Sequence, residues 1–365
     1  MDQSATPLTV TEFEGELFAG RYQVKGILGS GQAGNVYWCE DTVETGRVAL
    51  KRLGTNNAGP WAEAQFLRQL QDDHIMPIRH AFADSGARYL VTGVAEHGTV
   101  NDRIVASGPI GLSPRDVIRW TRQTCLAAAR AHDRGLIHND VKPANQFLTS
   151  DGACQLGDFG SATLLAPGAS STTTNGFTYE TVAPEVLLGT LTASPLTTVR
   201  SDVYSIGASA YWALSGTPAQ RMLPSEDDHD FMVRLIEGSP RVALVAPHVS
   251  NQLVRCLAKA MSPDPLDRFH DAREFMTALG QVPVGTRTWE RVAAHPGHEA
   301  CWKGTPLKAG KPIIETCLRG GDSPDARIIQ SSYKGSGRRV PNGFAKATSA
   351  NAFSVVRSVI RSLKT

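Results

Sequence analysis

The stretch His138-Asn139-Asp140-Val141-Lys142-Pro143-Ala144-Asn145 brings a carboxylate, an ammonium group and a carboxamide close together, and Asp158-Phe159-Gly160 follows further on. These residue types suit phosphoryl transfer, where catalysis is mostly positioning and neutralisation of charge. Asn145 and Asp158 offer hard oxygen ligands of the kind Mg²⁺ prefers. Taken singly, Asp140 would as readily cap a helix or turn, and Asn145 would be a turn residue. Lys142 between them, at this spacing, speaks against that plainer reading.

A phosphate needs a cradle, and Gly29-Ser30-Gly31-Gln32-Ala33-Gly34-Asn35-Val36 offers one. Glycines let the backbone turn tightly and approach phosphate oxygens without side-chain clash. The same glycine spacing serves dinucleotide folds, but there it opens a helix; here it lies between two strand-like runs. No G-x-x-x-x-G-K-[ST] run occurs, which argues against a Walker-type site. Val48-Ala49-Leu50-Lys51 follows, with the lysine among apolar residues of a buried strand. An unpaired buried charge is costly, so Lys51 either snorkels to the surface or meets an anion. In the functional reading the anion is the α- and β-phosphates of ATP. Glu63, on a helix expected over Pro60–Leu70, is then the second partner that aims the lysine.

The elements that must hold these groups follow from periodicity. Strand-like runs occupy Tyr22–Leu28, Asn35–Glu40 and Arg47–Leu53, and two more, Ala81–Ala83 and Arg88–Thr92, flank an Asp-Ser-Gly turn. From about Thr99 the pattern turns helical. Ser113-Pro114 opens a long helix, with serine as N-cap and proline at the first helical position. Val117, Ile118, Cys125, Leu126 and Ala129 recur along it at helical spacing, and Gly135 closes it. Strands first and helices later predict an α+β chain of two lobes, with a cleft between them as a favoured ligand site.

Ala183-Pro184-Glu185 completes the series of motifs. From about Tyr22 to Leu279 the chain resembles the eukaryotic-type protein kinase family in its bacterial, Hanks-type serine/threonine form. The resemblance implies a two-lobed protein-kinase-like fold with a small β-rich N-lobe over about 21–92 and a larger helical C-lobe over about 96–281. A leader of residues 1–20 precedes this kinase domain of 21–281, and a basic C-terminal module follows over 282–365. It implies transfer of the γ-phosphoryl group of ATP to protein Ser/Thr hydroxyls, including the chain's own, with Mg²⁺ as cofactor. By resemblance Asp140 accepts the substrate proton, Lys142 supports the γ-phosphate, and Asn145 and Asp158 hold the metal. Gly29, Gly31, Gly34, Val36, Ala49 and Lys51 surround the nucleotide, and backbone groups of Gly93 and Ala95 bond adenine, with Thr92 as gatekeeper. Phe159 and His138 would stack with Leu67, and Thr178 would touch Asp140 and the substrate residue. Asp202 would brace the catalytic loop, and Arg268 would pair with Glu185. Lys142, two residues past Asp140, matches the serine/threonine branch rather than the tyrosine branch.

Rival readings share some of this pattern. A pseudokinase or scaffold has the fold, but Lys51, Asp140, Asn145 and Asp158 are all present here. Small-molecule kinases of the aminoglycoside or choline type share His-x-Asp and a metal Asp, but lack this glycine loop and the Ala-Pro-Glu segment. A nucleic-acid-binding regulator would make the C-terminal stretch its working segment.

That stretch is distinctive in charge. Fourteen Lys and Arg against five Asp and Glu from Val282 to Thr365 give it +9, leaving −7 for residues 1–281 of a chain whose total is +2. Such asymmetry suggests an acidic protein or nucleic acid as partner; a merely solvated basic surface is the plain alternative. An amphipathic helix is expected over Ser349–Leu363, with Phe353, Val356, Ile360 and Leu363 on one face, packing on its own module. His295-x-x-His298-x-x-Cys301, with Cys317 further on, could supply four zinc ligands. The spacing matches no established zinc pattern and no C-x-x-C occurs, so buried cysteines and surface histidines are the plainer reading. Six scattered cysteines make no disulfide framework, and no signal segment or run of about 18 apolar residues occurs. A cytoplasmic location without a membrane span is the expectation.

Departures from the family pattern bear on control. Asn139 stands where many members have an arginine that pairs with a phosphate on the activation loop, and Thr181 replaces the usual tyrosine, which puts peptide docking in question. Asn carries no charge, so that pairing is lost. Ala169–Asn175 reads as flexible and rich in hydroxyls. Changing Ser170, Ser171, Thr172, Thr173 and Thr174 together to Ala should leave most phosphotransfer activity, and near-total loss in a kinase assay would refute this.

Overall fold

The computed structural model describes residues 15–31, 34–53, 70, 72–84, 86–174, 176–191, 194–220, 227, 230–231, 233–234, 247–283 and 285–363. The chain divides into two compact units. The first comprises Met1–Gly98 with Phe147–Gly160, and the second Thr99–Gln146 with Ser161–Thr365.

The first unit is built on six antiparallel strands: β1 (Leu17–Phe18), β2 (Tyr22–Gly31), β3 (Gly34–Asp41), β4 (Gly46–Leu53), β5 (Ile78–Asp84) and β6 (Ala87–Gly93). Their order in the sheet is β1-β2-β3-β4-β6-β5. Strand side chains alternate between faces. Tyr37, Cys39, Val48, Leu50, Tyr89 and Val91 accordingly share one buried face with Tyr22 and Val24. Aromatic rings fill it: Tyr22 lies 5.7 Å from Phe82, and Phe82 5.1 Å from Tyr89. Phe18, which the sequence assigned to a leader, is also buried there, 4.9 Å from Tyr89. Arg21 grips Asp41 with two hydrogen bonds of 2.8 and 2.7 Å, which hold that carboxyl down at about 2. β2 and β3 run longer than their apolar stretches suggested. Gly31 pairs with Gly34 across the turn, so the ladder continues through the glycines. A ribbon of β8 (Gln146–Leu148) and β9 (Cys154–Leu156) joins this unit through Leu156, which exchanges backbone bonds with His74 and Met76.

The second unit begins with α1 (Val100–Ser107) and α2 (Pro114–His132). A capping box closes the start of α1: Thr99 accepts from the Asp102 N–H while Asp102 accepts from the Thr99 N–H. Pro114 sits at the first helical position of α2 as expected, but the Ser113 hydroxyl makes no capping bond. The short strand β7 (Leu136–Ile137) pairs with β10 (Thr163–Leu164), and β11 (Thr172–Thr173) with β12 (Leu196–Thr197). Then come α3 (Pro184–Leu191), α4 (Val199–Ser215), α5 (Asn251–Ala260) and α6 (Ala272–Gly280). Helix α4 is buried almost all round. Its small residues Ser205, Ala208 and Ser209 let neighbours approach, and α2, α5 and α6 pack on it.

Residues past 285 form an antiparallel meander of β13 (Arg287–Val292), β14 (Ala300–Pro306), β15 (Ile314–Gly320), β16 (Ala326–Tyr333) and β17 (Arg339–Thr348). Helix α7 (Ala352–Ser362) covers one face. Trp302, Ile314, Leu318, Ile329 and Val340 of the sheet meet Ala352, Val356, Val359, Ile360 and Leu363 of the helix. The helix buries Val359 where the sequence reading had placed Phe353 in the stripe. Phe353 is 38% exposed and meets the Trp302 ring edge-on at 6.2 Å. Among the described residues, no helix is long and apolar enough to cross a membrane.

Trp302 is fully buried and central to this core. Trp302→Ala should cost about 3–5 kcal/mol, and Phe353→Ala less than about 1 kcal/mol. Urea unfolding followed by amide exchange in β14–β16 would measure both, and equal losses would contradict this packing.

Candidate active site

The loop after β7 is set by one buried carboxylate. Asp202, in the first turn of α4, is almost inaccessible. Its Oδ2 accepts the His138 N–H at 2.8 Å and its Oδ1 the Asn139 N–H at 2.9 Å. His132, in the last turn of α2, brings Nε2 within 2.8 Å of Oδ2. An ionised carboxylate only accepts, so His132 carries a proton on Nε2. Burial by itself would push the Asp202 carboxyl up, but the hydrogen bonds and charge of His132, with the His138 N–H, outweigh it and hold the group below the usual carboxylate range. The loop then turns through Asn139 at φ 69°, a left-handed conformation that asparagine tolerates. Its side-chain amide donates to the Ser161 carbonyl at 2.7 Å and to Thr163 Oγ1 at 2.9 Å. Asn139 thus ties the loop to β10 by uncharged bonds.

Past that turn, three polar side chains converge. Thr178 Oγ1 donates to Asp140 Oδ1 at 2.6 Å. Lys142 Nζ lies 2.7 Å from Asp140 Oδ2 and 3.0 Å from Thr178 Oγ1. Asn145 Nδ2 donates to the Asp140 carbonyl at 2.8 Å and approaches its Oδ2 at 3.4 Å. Its nitrogen is committed there, which leaves Asn145 Oδ1 as the atom it can offer a cation.

In the other unit, register aligns the expected nucleotide residues. Gly29 pairs with Val36, Val36 with Lys51, and Ala49 with Thr92. By alternation Val36, Ala49, Lys51 and Thr92 lie on the sheet face opposite the aromatic core. Lys51 Nζ is ion-paired with Asp158, whose φ is 55°. Gly160 makes room for this pair: a Cβ there would meet Asp158 Oδ1 at 3.2 Å and Lys51 Nζ at 3.5 Å. Gly93 ends β6 opposite Val48, and the Ala95 carbonyl accepts the Gly98 N–H at 3.0 Å. Gly31 and Gly34 close the β2–β3 ladder. Glu63, Leu67, Gln32 and Ala33 lie outside the described residues.

The hydroxyl-rich segment is more ordered than its composition suggested. Thr172 and Thr173 pair with Thr197 and Leu196. Thr174 is buried, donating to the Gly176 carbonyl at 3.0 Å. Thr174→Ala would break a local hydrogen bond, so it does not belong with the freely exposed sites; Ser170 and Thr173 are the exposed hydroxyls of the five. Arg268 holds Glu185 through two bonds of 2.7 Å and donates to the carbonyls of Arg200, Ser262 and Pro263. Its guanidinium also lies 4.8 Å over the Tyr204 ring. Two participants had no sequence signal of their own. Gln220 accepts from Tyr204 at 2.7 Å and donates to the carbonyls of Tyr179 and Val182 at 2.9 Å. His132 is the other, one of several polar residues closing a helix. Only the fold reveals that its ring reaches Asp202.

Comparison with known proteins places this geometry. The protein kinase domain family matches residues 22–279. Serine/threonine-protein kinase PknD of Mycobacterium tuberculosis (strain ATCC 25618 / H37Rv) is 30% identical over 312 residues, 82% of this chain and 46% of that protein. Serine/threonine-protein kinase PrkC of Bacillus subtilis (strain 168) is 28% identical over 272 residues, 71% of this chain and 40% of that protein. Serine/threonine-protein kinase PknL of the same M. tuberculosis strain is 31% identical over 272 residues, 71% of this chain and 65% of that protein. The chain therefore spans less than two thirds of the length of each of these relatives.

The Asp202 anchor has a pH signature. A carboxyl whose folded value is depressed stabilises the fold above the unfolded value of about 3.9, and that contribution is lost as pH falls through the folded value. Asp202→Asn should cost about 3 kcal/mol near neutrality, with a smaller difference from wild type below about pH 4. Urea melts across that range would check it; a difference constant with pH would count against an ionised Asp202.

Proposed function

The chain belongs to the protein kinase domain family, and from that premise we propose that it transfers the γ-phosphoryl group of ATP to serine and threonine hydroxyls of proteins, its own included. The observation that carries this reading is the cluster of Asp140, Lys142 and Thr178 at 2.6–3.0 Å, on a loop pinned from behind by Asp202. The relatives' names as serine/threonine-protein kinases support the choice of acceptor.

Asp140 takes the proton of the acceptor hydroxyl as its oxygen bonds to the γ-phosphorus. The bond from that phosphorus to the β,γ-bridging oxygen breaks, and ADP leaves with the electron pair. Thr178 and Lys142 hold the Asp140 carboxylate in its orientation before substrate arrives. When the γ-phosphate is present, Lys142 exchanges its contact with Asp140 for one with the phosphate. Lys51 does the same on the sheet, exchanging Asp158 for the α- and β-phosphates, and Glu63 is assigned the role of aiming it. Gly29, Gly31 and Gly34 give the triphosphate close approach to the backbone. A Cβ at Gly29 would meet no atom of the described residues within 4 Å, so their packing does not demand glycine there, whereas a ligand would. Val36 and Ala49 supply apolar contact to adenine, and Gly93 and Ala95 its backbone partners.

The donor chemistry fits Mg²⁺. Asp158 is a carboxylate and Asn145 offers Oδ1, both hard oxygens. These two residues would hold the ion, which supplies neutralisation of phosphate charge.

Incubation with γ-labelled ATP and Mg²⁺, on the chain itself and on a generic basic protein, should put label on serine or threonine. Asp140→Asn should reduce it by about 10²–10⁴-fold. Absence of label in the wild type with ATP still bound would instead indicate a nucleotide-binding scaffold.

A further inference from the structure

Four soft ligand atoms meet at one end of the C-terminal meander. Cys301 of β14 and Cys317 of β15 are directly opposite in the ladder, both free and both buried. Trp302, the neighbour of Cys301, points into the core under α7, so by alternation the cysteine pair faces the other side of the sheet. The connection from β13 to β14 turns back over that side. Its turn is closed by the His298 N–H on the His295 carbonyl at 2.9 Å, with Gly297 at φ 77°. This brings His298 Nδ1 to 3.4 Å from Cys301 Sγ. His295 Nδ1 lies 3.5 Å from Cys301 Sγ and 3.5 Å from Cys317 Sγ. All four ligand atoms fall within 4.8 Å of one another.

We propose that His295, His298, Cys301 and Cys317 form a tetrahedral zinc site that staples the β13–β14 connection to β14 and β15. Zinc–sulfur bonds of about 2.3 Å and zinc–nitrogen bonds of about 2.0–2.1 Å, set at tetrahedral angles, put sulfur and nitrogen ligands about 3.6 Å apart. The three sulfur–nitrogen distances of 3.4–3.5 Å match that geometry. Thiol hydrogen bonds explain the arrangement less well. His295 is not buried, so its Nδ1 could turn to water, yet it points at both sulfurs. Two thiolates and two imidazoles complete the coordination shell and leave no open position, which is the mark of a structural rather than a catalytic zinc. The site also accounts for two adjacent buried cysteines that need not form a disulfide. It stands independently of the phosphotransfer reading.

The test uses the chain of residues 1–365, free of any histidine tag and purified without chelator. Elemental analysis should find one zinc per chain, and Cys301→Ser and Cys317→Ser should each lose it. Circular dichroism would show whether those variants remain folded. Should they not fold, cobalt exchange into the wild type decides instead. A tetrahedral visible spectrum with thiolate-to-cobalt charge transfer is the expected result. A reduced wild-type chain that holds no zinc and gives no such cobalt spectrum would overturn the proposal. So would full zinc retention in both folded serine variants, or a Cys301–Cys317 disulfide in the freshly isolated chain.

Discussion

A carboxylate buried in the helical unit is the constraint on which the loop after β7 depends. Asp202 sits where water cannot reach, and a charge there persists only if donors surround it. Two backbone N–H groups and the His132 ring meet that need. The same bonds fix the backbone at His138 and Asn139, so satisfying the charge and shaping the loop are one event. Only with that backbone fixed does Asp140 emerge toward Thr178 and Lys142. Arg268 has the mirrored role: a buried cation surrounded by a carboxylate and three carbonyls, joining α3 to the segment before α6. The unit is thus organised by two opposite buried charges, each fully engaged.

The substitution at Asn139 is informative in this light. The family resemblance would set an arginine there to pair with a phosphate, whereas the asparagine of this chain turns inward. Its amide bonds to Ser161 and Thr163 are present without any modification of the chain. The link between loop and β10 is therefore built in, and no added charge is needed to make it.

Much of this was legible in the sequence, because short motifs carry their chemistry with them. The run of Asp140, Lys142 and Asn145 could be read from the residues themselves, while the pairing of Arg268 with Glu185 and the setting of Val36, Ala49 and Lys51 around a nucleotide came from the family resemblance. Other features were hidden because they depend on distant packing. Gln220 gains its meaning only when Tyr204, Tyr179 and Val182 surround it. Thr174 reads as one more exposed hydroxyl until pairing of β11 with β12 buries it. The alternation of β13–β17 was masked by glycine and charge, so the sheet went unseen while the helix at its end did not. Even there, the stripe was read one position off, because Phe353 and Val359 exchange places at the edge of the core. His295, His298, Cys301 and Cys317 were named together from the sequence, but it is strand register that sets Cys317 opposite Cys301 and so brings the four together.

The strand order of the two main sheets carries a kinetic consequence. In the first unit the order β1-β2-β3-β4-β6-β5 departs from chain order, and the unit needs residues 147–160 to complete it. The C-terminal meander has every strand beside its sequence neighbour, with α7 folding back over the last of them. Contacts so local in sequence close small loops, and chains rich in them fold quickly. During synthesis the meander can therefore zip up hairpin by hairpin as it emerges. The first unit is complete only once a segment about fifty residues beyond its last strand has been made.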